Sequence, residues 1–125
     1  MINRTAQILK ALGEPTRLRI VRLLKERELC ICELVAVLDM SQPRVSQHVK
    51  ILKQAGIVRE RKDRQRSFFR LEDDLAGGRV SSLERLFGTG LENIADLSGE
   101  MERLENIDQD PQVVQCKQMP ARALV

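Results

Sequence analysis

The amino-acid sequence predicts a mainly α-helical fold with one small β-hairpin. Apolar residues recur at helical spacing along most of the 125-residue chain, and short extended segments are expected only within residues 57–71. Aromatic residues make up 2% of the chain, so Leu, Ile and Val must form most of the core. The length suits a single domain. We place this domain at residues 1–106 and expect a flexible tail at residues 107–125.

Three helices are expected in the first third of the chain. The first spans residues 2–12 and ends at Gly13, and the second begins with Pro15, which suits the first turn of a helix. The second helix is apolar around most of its circumference within residues 18–24, so we expect it to be buried at the centre of the domain. The third helix is expected at residues 29–38.

A fourth helix, expected at residues 41–56, has two chemically different faces. Val45, Val49 and Leu52 form an apolar stripe on one face. The opposite face carries long side chains that donate hydrogen bonds: Arg44, Gln47, Lys50 and Gln54. Such side chains read base edges in the DNA major groove, although the same pattern also fits an ordinary solvated helix. A tight turn at residues 39–40 separates this helix from the third, which is the helix-turn-helix arrangement.

Two strands follow at residues 57–61 and 67–71, and a charged link at residues 62–66 joins them into a hairpin. Next to a helix-turn-helix such a hairpin is a wing, so we predict a winged helix-turn-helix. Its cationic tip can reach a phosphate backbone or the adjacent minor groove. A hairpin that only closes the core would explain Leu71 and one of the phenylalanines before it. It would not explain four basic residues within residues 61–66.

Charge is strongly segregated along the chain, although the net charge is only +3. Residues 41–71 carry nine Arg and Lys against two acidic residues, whereas residues 72–110 carry three Arg against eleven acidic residues. A basic block beside an acidic one indicates a surface that binds a polyanion, with the rest of the molecule turned away from the phosphates. The sequence contains no signal peptide and no long apolar run, so we expect a cytoplasmic protein without a membrane partner.

A seven-residue apolar repeat predicts one long helix from about residue 79 to residue 104. Two heptad positions form its seam: Val80, Phe87, Ile94 and Met101 in the first, and Leu83, Gly90, Leu97 and Leu104 in the second. Gly88 and Gly90 lower the helix propensity within it, by about 1 kcal/mol each relative to Ala. The natural partners of the seam are the first helix and the same helix of a second subunit, so we expect a homodimer formed through the terminal helices. The alternative is a helix that folds back on its own domain.

Cys30 and Cys32 lie two residues apart, immediately before or within the third helix. In a regular helix their side chains would point about 200° apart and could not bind one ion, whereas in an extended segment they would share a side. The pair can therefore chelate an ion only if the turn is extended or is pulled open by the ligand, which would move the fourth helix. Thiolates select soft metals and metalloids. Alternatively, both cysteines are small apolar residues that fill space.

Three segments together resemble the ArsR/SmtB family of metal-sensing winged-helix repressors. They are Gly-Glu-Pro-Thr-Arg-Leu-Arg-Ile from residue 13, Glu-Leu-Cys-Ile-Cys-Glu-Leu from residue 28, and Ser-Gln-Pro-Arg-Val-Ser-Gln-His-Val-Lys-Ile-Leu-Lys-Gln-Ala-Gly-Ile-Val from residue 41. With the basic hairpin, the resemblance covers about residues 4–75. It implies a dimer that represses by binding an inverted-repeat operator in double-stranded DNA and that leaves the DNA when an inducer binds.

The Cys-X-Cys run most resembles the arsenic-sensing branch of that family, whose inducers are arsenite and antimonite. The resemblance therefore implies As(III) or Sb(III) held by Cys30 and Cys32. Members of this branch often carry a third cysteine where this chain has Val35. A three-thiolate site would then need Cys116, from the same subunit or from its partner. Otherwise arsenic would bind two thiolates and keep one open valence, which suits a singly substituted arsenical. The last predicted helix has no histidine, so the zinc and cobalt site of another branch is absent.

The fourth helix, which is the recognition helix of the motif, and the wing supply the predicted DNA contacts. Base readers are expected in the first turns of the helix: Gln42, Pro43, Arg44, Ser46 and Gln47. Contacts to phosphates and to the minor groove are expected from both elements: Ser41, Lys50, Arg61, Lys62, Arg64 and Arg66. His48, the only histidine, should pack or contact DNA rather than bind a metal.

Two alternatives keep the DNA-binding fold and change the role of the cysteines. In one, Cys30 and Cys32 form a redox or persulfide switch. In the other, they are structural and the repressor answers to no inducer. An enzyme has little support, because the chain has one histidine, no Gly-rich phosphate loop after a strand and no local Ser/His/Asp arrangement. We therefore expect no catalytic cofactor and no small organic substrate.

Overall fold

The computed structural model describes residues 1–78 and 80–118. The chain divides into two compact units, Met1–Leu86 and Phe87–Val125. The first unit contains the helices and strands of a winged helix-turn-helix: α1 Ile2–Leu12, α2 Pro15–Glu26, β1 Leu29–Cys30, α3 Ile31–Leu38, α4 Gln42–Gln54, β2 Val58–Asp63, β3 Arg66–Leu71 and α5 Asp73–Ala76. The predicted fold class, mainly α-helical with a small β-hairpin, is confirmed.

The three strands form one antiparallel sheet in the order β1–β3–β2. Strands β2 and β3 pair from Val58 opposite Leu71 to Asp63 opposite Arg66, which leaves only two residues in the turn. The strands are longer than predicted because charged side chains on a hairpin that projects into solvent do not interrupt the backbone ladder. Arg64 lies in the turn with a φ of 59°, in the left-handed region that favours glycine.

The sequence does not predict strand β1. Leu29 and Cys30, which are expected to begin a helix, are instead extended and pair with Phe69 and Phe68 of β3. Helix α3 therefore begins at Ile31. Pairing with β3 provides hydrogen-bond partners for the backbone of β1 and buries Leu29 in the core. This stabilisation outweighs the stabilisation that two further helical residues would give.

The core of the first unit lies between the helices and one side of the sheet. Its most deeply buried apolar side chains are Ile20, Leu34, Val45, Leu52 and Ile57. Helix α2 contributes Ile20 and Leu24 to the core, with Val21 and Leu23 half-buried against it, whereas Leu18 is 52% exposed. Helix α2 therefore reaches the core on one side, while its other side stays in solvent, since the arginines among its apolar residues need access to water.

Helix α4 ends in a hydrogen-bonded cap that positions the hairpin. The Gly56 N–H donates to the Lys53 carbonyl and the Ile57 N–H donates to the Leu52 carbonyl, each at 3.0 Å, which is the Schellman arrangement. Gly56 has a φ of 71°, and a side chain here would also collide with the guanidinium of Arg4. Leu52 and Ile57 are both buried. The start of β2 is therefore held by the cap and by the core together.

The prediction of a single helix from residue 79 to residue 104 is wrong. Helix α6 spans Ser81–Gly88, and regular helix resumes only at α7, Ser98–Glu105, with two short 3₁₀ turns between them. Helix α6 ends at its glycine, and Gly90 precedes the first 3₁₀ turn with a non-helical ψ of 141°. The low helix propensity of two nearby glycines thus outweighs the heptad pattern. The predicted start of this helix lies outside the described residues.

The segment after residue 106 also contains helical structure. A 3₁₀ turn covers Ile107–Gln109, and helix α8 covers Pro111–Lys117. Asp110 caps α8 by accepting the Gln112 N–H at 2.9 Å. The sequence predicts a flexible tail here and does not predict α8, because the proline that starts the helix resembles a break. Residues 119–125 lie outside the described part, and the domain boundary after residue 106 stays a prediction. No helix in the described part is long and apolar enough to cross a membrane.

Candidate nucleic-acid interface and thiol site

Helix α4 presents its predicted reading face to solvent. Ser41 precedes the helix in an extended conformation, and Pro43 lies in the first turn, where a missing N–H breaks no helical hydrogen bond. The apolar stripe is buried, with Val45 and Leu52 fully so. Of the predicted DNA contacts on this helix, Ser46 is half-buried. The others are exposed: Ser41, Gln42, Pro43, Arg44, Gln47 and Lys50.

The wing carries the remaining predicted DNA contacts, and the structure separates them into two groups. Three are exposed at the end of the hairpin: Lys62, Arg64 and Arg66. Arg61 lies further back on β2, where its Nη2 is 2.6 Å from Glu28 Oε1 and its guanidinium stacks on Phe68. A contact between Arg61 and a phosphate must therefore compete with the Glu28 carboxylate, and this DNA contact stays a prediction.

A carboxylate that the sequence does not single out connects α4 to the wing. Glu60 Oε1 of β2 lies 2.5 Å from Lys53 Nζ in the last turn of α4. Donation by Lys53, and after it by Ser67, lowers the pKa of Glu60, while burial opposes the shift. Sequence spacing does not reveal the pair, because one partner is helical and the other is in a strand. The pair helps to fix the wing relative to the recognition helix.

His48 faces inward from α4 and packs against the start of α2. Its Nδ1 lies 3.4 Å from Arg17 Nη1 and 3.7 Å from Glu14 Oε2, and its side chain is 17% exposed. Glu14 caps α2 by accepting the Arg17 N–H at 2.9 Å. The pKa of Glu14 is below its ordinary value, first because of that hydrogen bond. Burial opposes the shift, and the nearby Arg17 side chain adds to it. Of the two roles expected for His48, the structure shows packing.

Cys30 and Cys32 lie on either side of the start of α3. Cys30 is extended, with φ −89° and ψ 170°, and it is the N-cap residue of the helix. Cys32 lies in the first helical turn. The Cys30 side chain is buried and the Cys32 side chain is exposed. The pair is thus divided between extended and helical backbone, a combination that neither of the two sequence-based geometries describes.

Glu33 stabilises the start of α3 through a capping box with Cys30. The Cys30 N–H donates to Glu33 Oε1 at 3.0 Å, and Arg27 Nη2 lies 3.3 Å from Glu33 Oε2. These contacts lower the pKa of Glu33: the Cys30 backbone N–H first and the Cys30 side chain second, while burial opposes the shift. The sequence carries one signal for this capping box, which is a glutamate three residues after the cap position. The capping box is still hard to predict, because cysteine is not among the usual N-cap residues.

Within the first compact unit, the described residues do not add a third ligand to this pair. Val35 is half-buried at the position of a third cysteine in the arsenic-sensing pattern. Cys116 is exposed on α8, in the second compact unit. Within residues 1–78 and 80–118, no group of three His, Cys, Asp or Glu side chains could hold a metal ion. Cys116 therefore stays a predicted ligand.

The residues that form this region match a known family. The family model of bacterial regulatory proteins of the arsR family matches residues 14–60, which include the cysteine pair and helix α4. The uncharacterized HTH-type transcriptional regulator MJ1325 of Methanocaldococcus jannaschii is 44% identical over 73 residues, which are 58% of this chain and 82% of that protein. The arsenical resistance operon repressor of Escherichia coli K12 is 44% identical over 66 residues, which are 52% of this chain and 56% of that protein.

A solved structure supports the same relationship. The structure of HlyU from Vibrio cholerae N16961 aligns with this chain at a TM-score of 0.58 and 32% sequence identity. The alignment covers 70% of this chain and 95% of that chain. The likeness therefore extends beyond residues 14–60 over almost the whole of a solved relative.

Proposed function

The chain belongs to the ArsR family of bacterial regulatory proteins and is a DNA-binding transcriptional repressor rather than an enzyme, and we propose that trivalent arsenic or antimony releases it from its operator. In this proposal a homodimer binds double-stranded operator DNA, and the thiolates of Cys30 and Cys32 hold the inducer. The observation that carries the proposal is the position of Cys30. This residue caps α3, which packs against α4, and it also pairs with Phe68 of the wing.

The DNA-binding part of the proposal rests on the exposed polar face of α4 and on the basic end of the wing. Base reading is assigned to the first turns of the helix: Gln42, Pro43, Arg44, Ser46 and Gln47. Phosphate and minor-groove contacts are assigned to Ser41, Lys50, Lys62, Arg64 and Arg66, and to Arg61 when its pair with Glu28 opens. Net positive charge in this part of the chain favours approach to the phosphate backbone.

The homodimer is supported by apolar side chains that the described residues leave exposed. Leu9 of α1 is 46% exposed, Phe87 of α6 is 82% exposed and Leu104 of α7 is 56% exposed. Large apolar side chains that a helix exposes are candidates for burial against a protein partner. We therefore propose that these helices contribute to a dimer interface, and the mass of the protein in solution tests whether the dimer forms.

Inducer binding is expected to change the start of α3. Because Cys30 is extended and Cys32 is already helical, one ion held by both sulfurs needs a different first turn. The Cys30–Glu33 capping box opposes that change, so the inducer must supply enough binding free energy to open it. Since α3 packs against α4, the change reaches the residues that read the groove.

Two coordination states are compatible with the proposal. Cys116, from either subunit, supplies a third thiolate, or the ion keeps one open valence on two thiolates. X-ray absorption of the arsenite-loaded protein counts the sulfur neighbours directly. Three neighbours in the wild type and two in Cys116→Ser would assign Cys116 as a ligand. Two neighbours in both proteins would remove Cys116 from the site.

The proposal is tested by adding reagents to the protein bound to an operator duplex that has been selected from random DNA. We expect arsenite to release the wild type, as followed by fluorescence anisotropy, and to leave Cys30→Ser and Cys32→Ser bound. Release by peroxide or polysulfide alone would favour the redox alternative. Retention of the duplex with every reagent would indicate that the two cysteines are structural.

A further inference from the structure

Arg61 is held between the wing and the segment that leads into the thiol site. Its Nη2 and Nε lie 2.6 Å and 3.2 Å from Glu28 Oε1, and Nε also lies 3.4 Å from Oε2. The guanidinium stacks on Phe68, with Cζ 4.7 Å from the ring centroid. Glu28 comes two residues before Cys30, directly before β1. One ion pair therefore joins β2 of the wing to the chain that enters the inducer site.

The geometry of this ion pair is more favourable than that of most ion pairs at a protein surface. Exposed pairs contribute little to stability unless the geometry is favourable, as in bidentate Arg–carboxylate pairs. Here two guanidinium nitrogens contact one carboxylate, the aromatic ring restricts the guanidinium, and the Glu28 side chain is only 30% exposed. The pair can therefore hold two elements whose residues are 33 positions apart in the sequence.

We propose that the Glu28–Arg61 ion pair transmits inducer binding at Cys30 and Cys32 to the wing, and that Glu28 is thus a positioning residue of the repressor. This inference rests on the proposed function. Strand β1 has only two residues, so few backbone hydrogen bonds hold it to β3. When Cys30 moves to share an ion with Cys32, the strand and Glu28 move with it. The carboxylate then leaves Arg61, and the wing loses its side-chain link to the inducer site.

This route differs from the one that runs through α3. Helix α3 leads to the recognition helix α4, whereas Glu28 acts on β2 and hence on the hairpin. Removal of the Glu28 charge should therefore leave arsenite bound at the thiols. It should abolish only the part of the response that reaches DNA through the wing.

The test compares Glu28→Gln with Glu72→Gln in the full chain. Glu72 is a matched control, because it pairs with Arg59 of the same strand at 2.7 Å, with side chains 30% and 47% exposed. The corresponding values for Glu28 and Arg61 are 30% and 51%. The release factor is the Kd for the selected operator with saturating arsenite divided by the Kd without it. We expect this factor to fall at least about three-fold in Glu28→Gln and to stay at the wild-type value in Glu72→Gln.

A second measurement does not depend on DNA binding. In protein without DNA, arsenite should speed hydrogen exchange of the β2 amides in the wild type and in Glu72→Gln, and it should have a smaller effect in Glu28→Gln. X-ray absorption should give the same number of sulfur neighbours in all three proteins. A release factor or an exchange response of Glu28→Gln equal to that of the wild type would overturn the inference. If arsenite does not release the wild type, the proposed function fails first and this inference fails with it.

Discussion

Cys30 lies directly opposite Phe68 where β1 pairs with β3, and Phe68 lies in turn opposite Arg61 where β3 pairs with β2. This row crosses the three-stranded sheet from the thiol site to the wing. Cys30 of the cysteine pair and the hairpin are therefore parts of one sheet. A ligand that displaces Cys30 acts on an edge strand of that sheet as well as on α3.

Replacement of Gln47 by Ala should lower sequence specificity. Gln47 is exposed on the reading face of α4, and a bidentate contact from an amide to a base contributes about 1–3 kcal/mol of discrimination. We expect affinity for the selected operator to fall by that amount, with little change for random duplex, in anisotropy titrations at one salt concentration. Gln54→Ala is the matched control, because Gln54 lies in the last turn of the same helix. Equal losses on both duplexes would show that Gln47 does not read bases.

Replacement of Arg64 by Gly should weaken DNA binding and stabilise the fold at the same time. Loss of one phosphate contact should lower the slope of log K against log salt by about 0.9, for operator and random DNA alike. Glycine also removes the cost of a left-handed residue at φ 59°, which is about 1–2 kcal/mol. Urea denaturation should therefore give a higher free energy of unfolding. Arg64→Lys keeps the charge and the backbone strain and should retain the wild-type slope. An unchanged slope in the glycine variant would exclude Arg64 from the phosphate contacts.

Acid should destabilise the start of α2 through Glu14. The pKa of this carboxyl is lower in the folded protein than its ordinary value of 4.5. The stabilisation is therefore fully present above that value and is lost as the pH falls through the folded-state pKa. The difference in Tm between wild type and Glu14→Gln should be largest near neutral pH and should shrink below pH 4.5. Glu14→Asp keeps a carboxylate and should retain the acid dependence. A difference that stays constant with pH would argue against this cap.

Truncation of Leu52 should test whether α4 depends on its buried stripe. Leu52 is fully buried, whereas Leu18 of α2 is 52% exposed. We expect Leu52→Ala to lower the free energy of unfolding by about 2–5 kcal/mol, because it leaves a cavity in the core. The control Leu18→Ala should change it by about 0.5 kcal/mol or less, as surface substitutions usually do. Similar losses in urea denaturation of both variants would mean that the core is placed incorrectly.

The features that the sequence predicts correctly have local signals. Helix α4 begins after Ser41 with a proline in its first turn, and the cap that follows its last residue contains Gly56 with a positive φ. Its apolar stripe has the spacing of a helix, and the hairpin that follows has the composition of strands. Each of these signals depends on residues close in the sequence, so it can be recognised without knowledge of the tertiary structure.

The features that the sequence misses depend on distant partners or on competing local effects. Strand β1 forms because Leu29 pairs with Phe69 of β3. Glu28 forms its ion pair with Arg61, which lies 33 positions later in the sequence. The helix predicted at residues 79–104 fails because its glycines cost more than the heptad pattern supplies. The cysteine pair is recognised from its spacing, but its division between strand and helix follows from the pairing of β1 with β3.

The most direct test of the coupling between the thiols and DNA measures it from the inducer side. Calorimetric titration gives the affinity of arsenite for the reduced protein, first without DNA and then saturated with the selected operator. Since coupling between two binding sites is reciprocal, arsenite that releases DNA must bind the DNA complex more weakly, by at least about five-fold in a typical allosteric protein. That reduction is the result we predict. Equal arsenite affinities in the two titrations would show that the thiols and the DNA surface are not coupled.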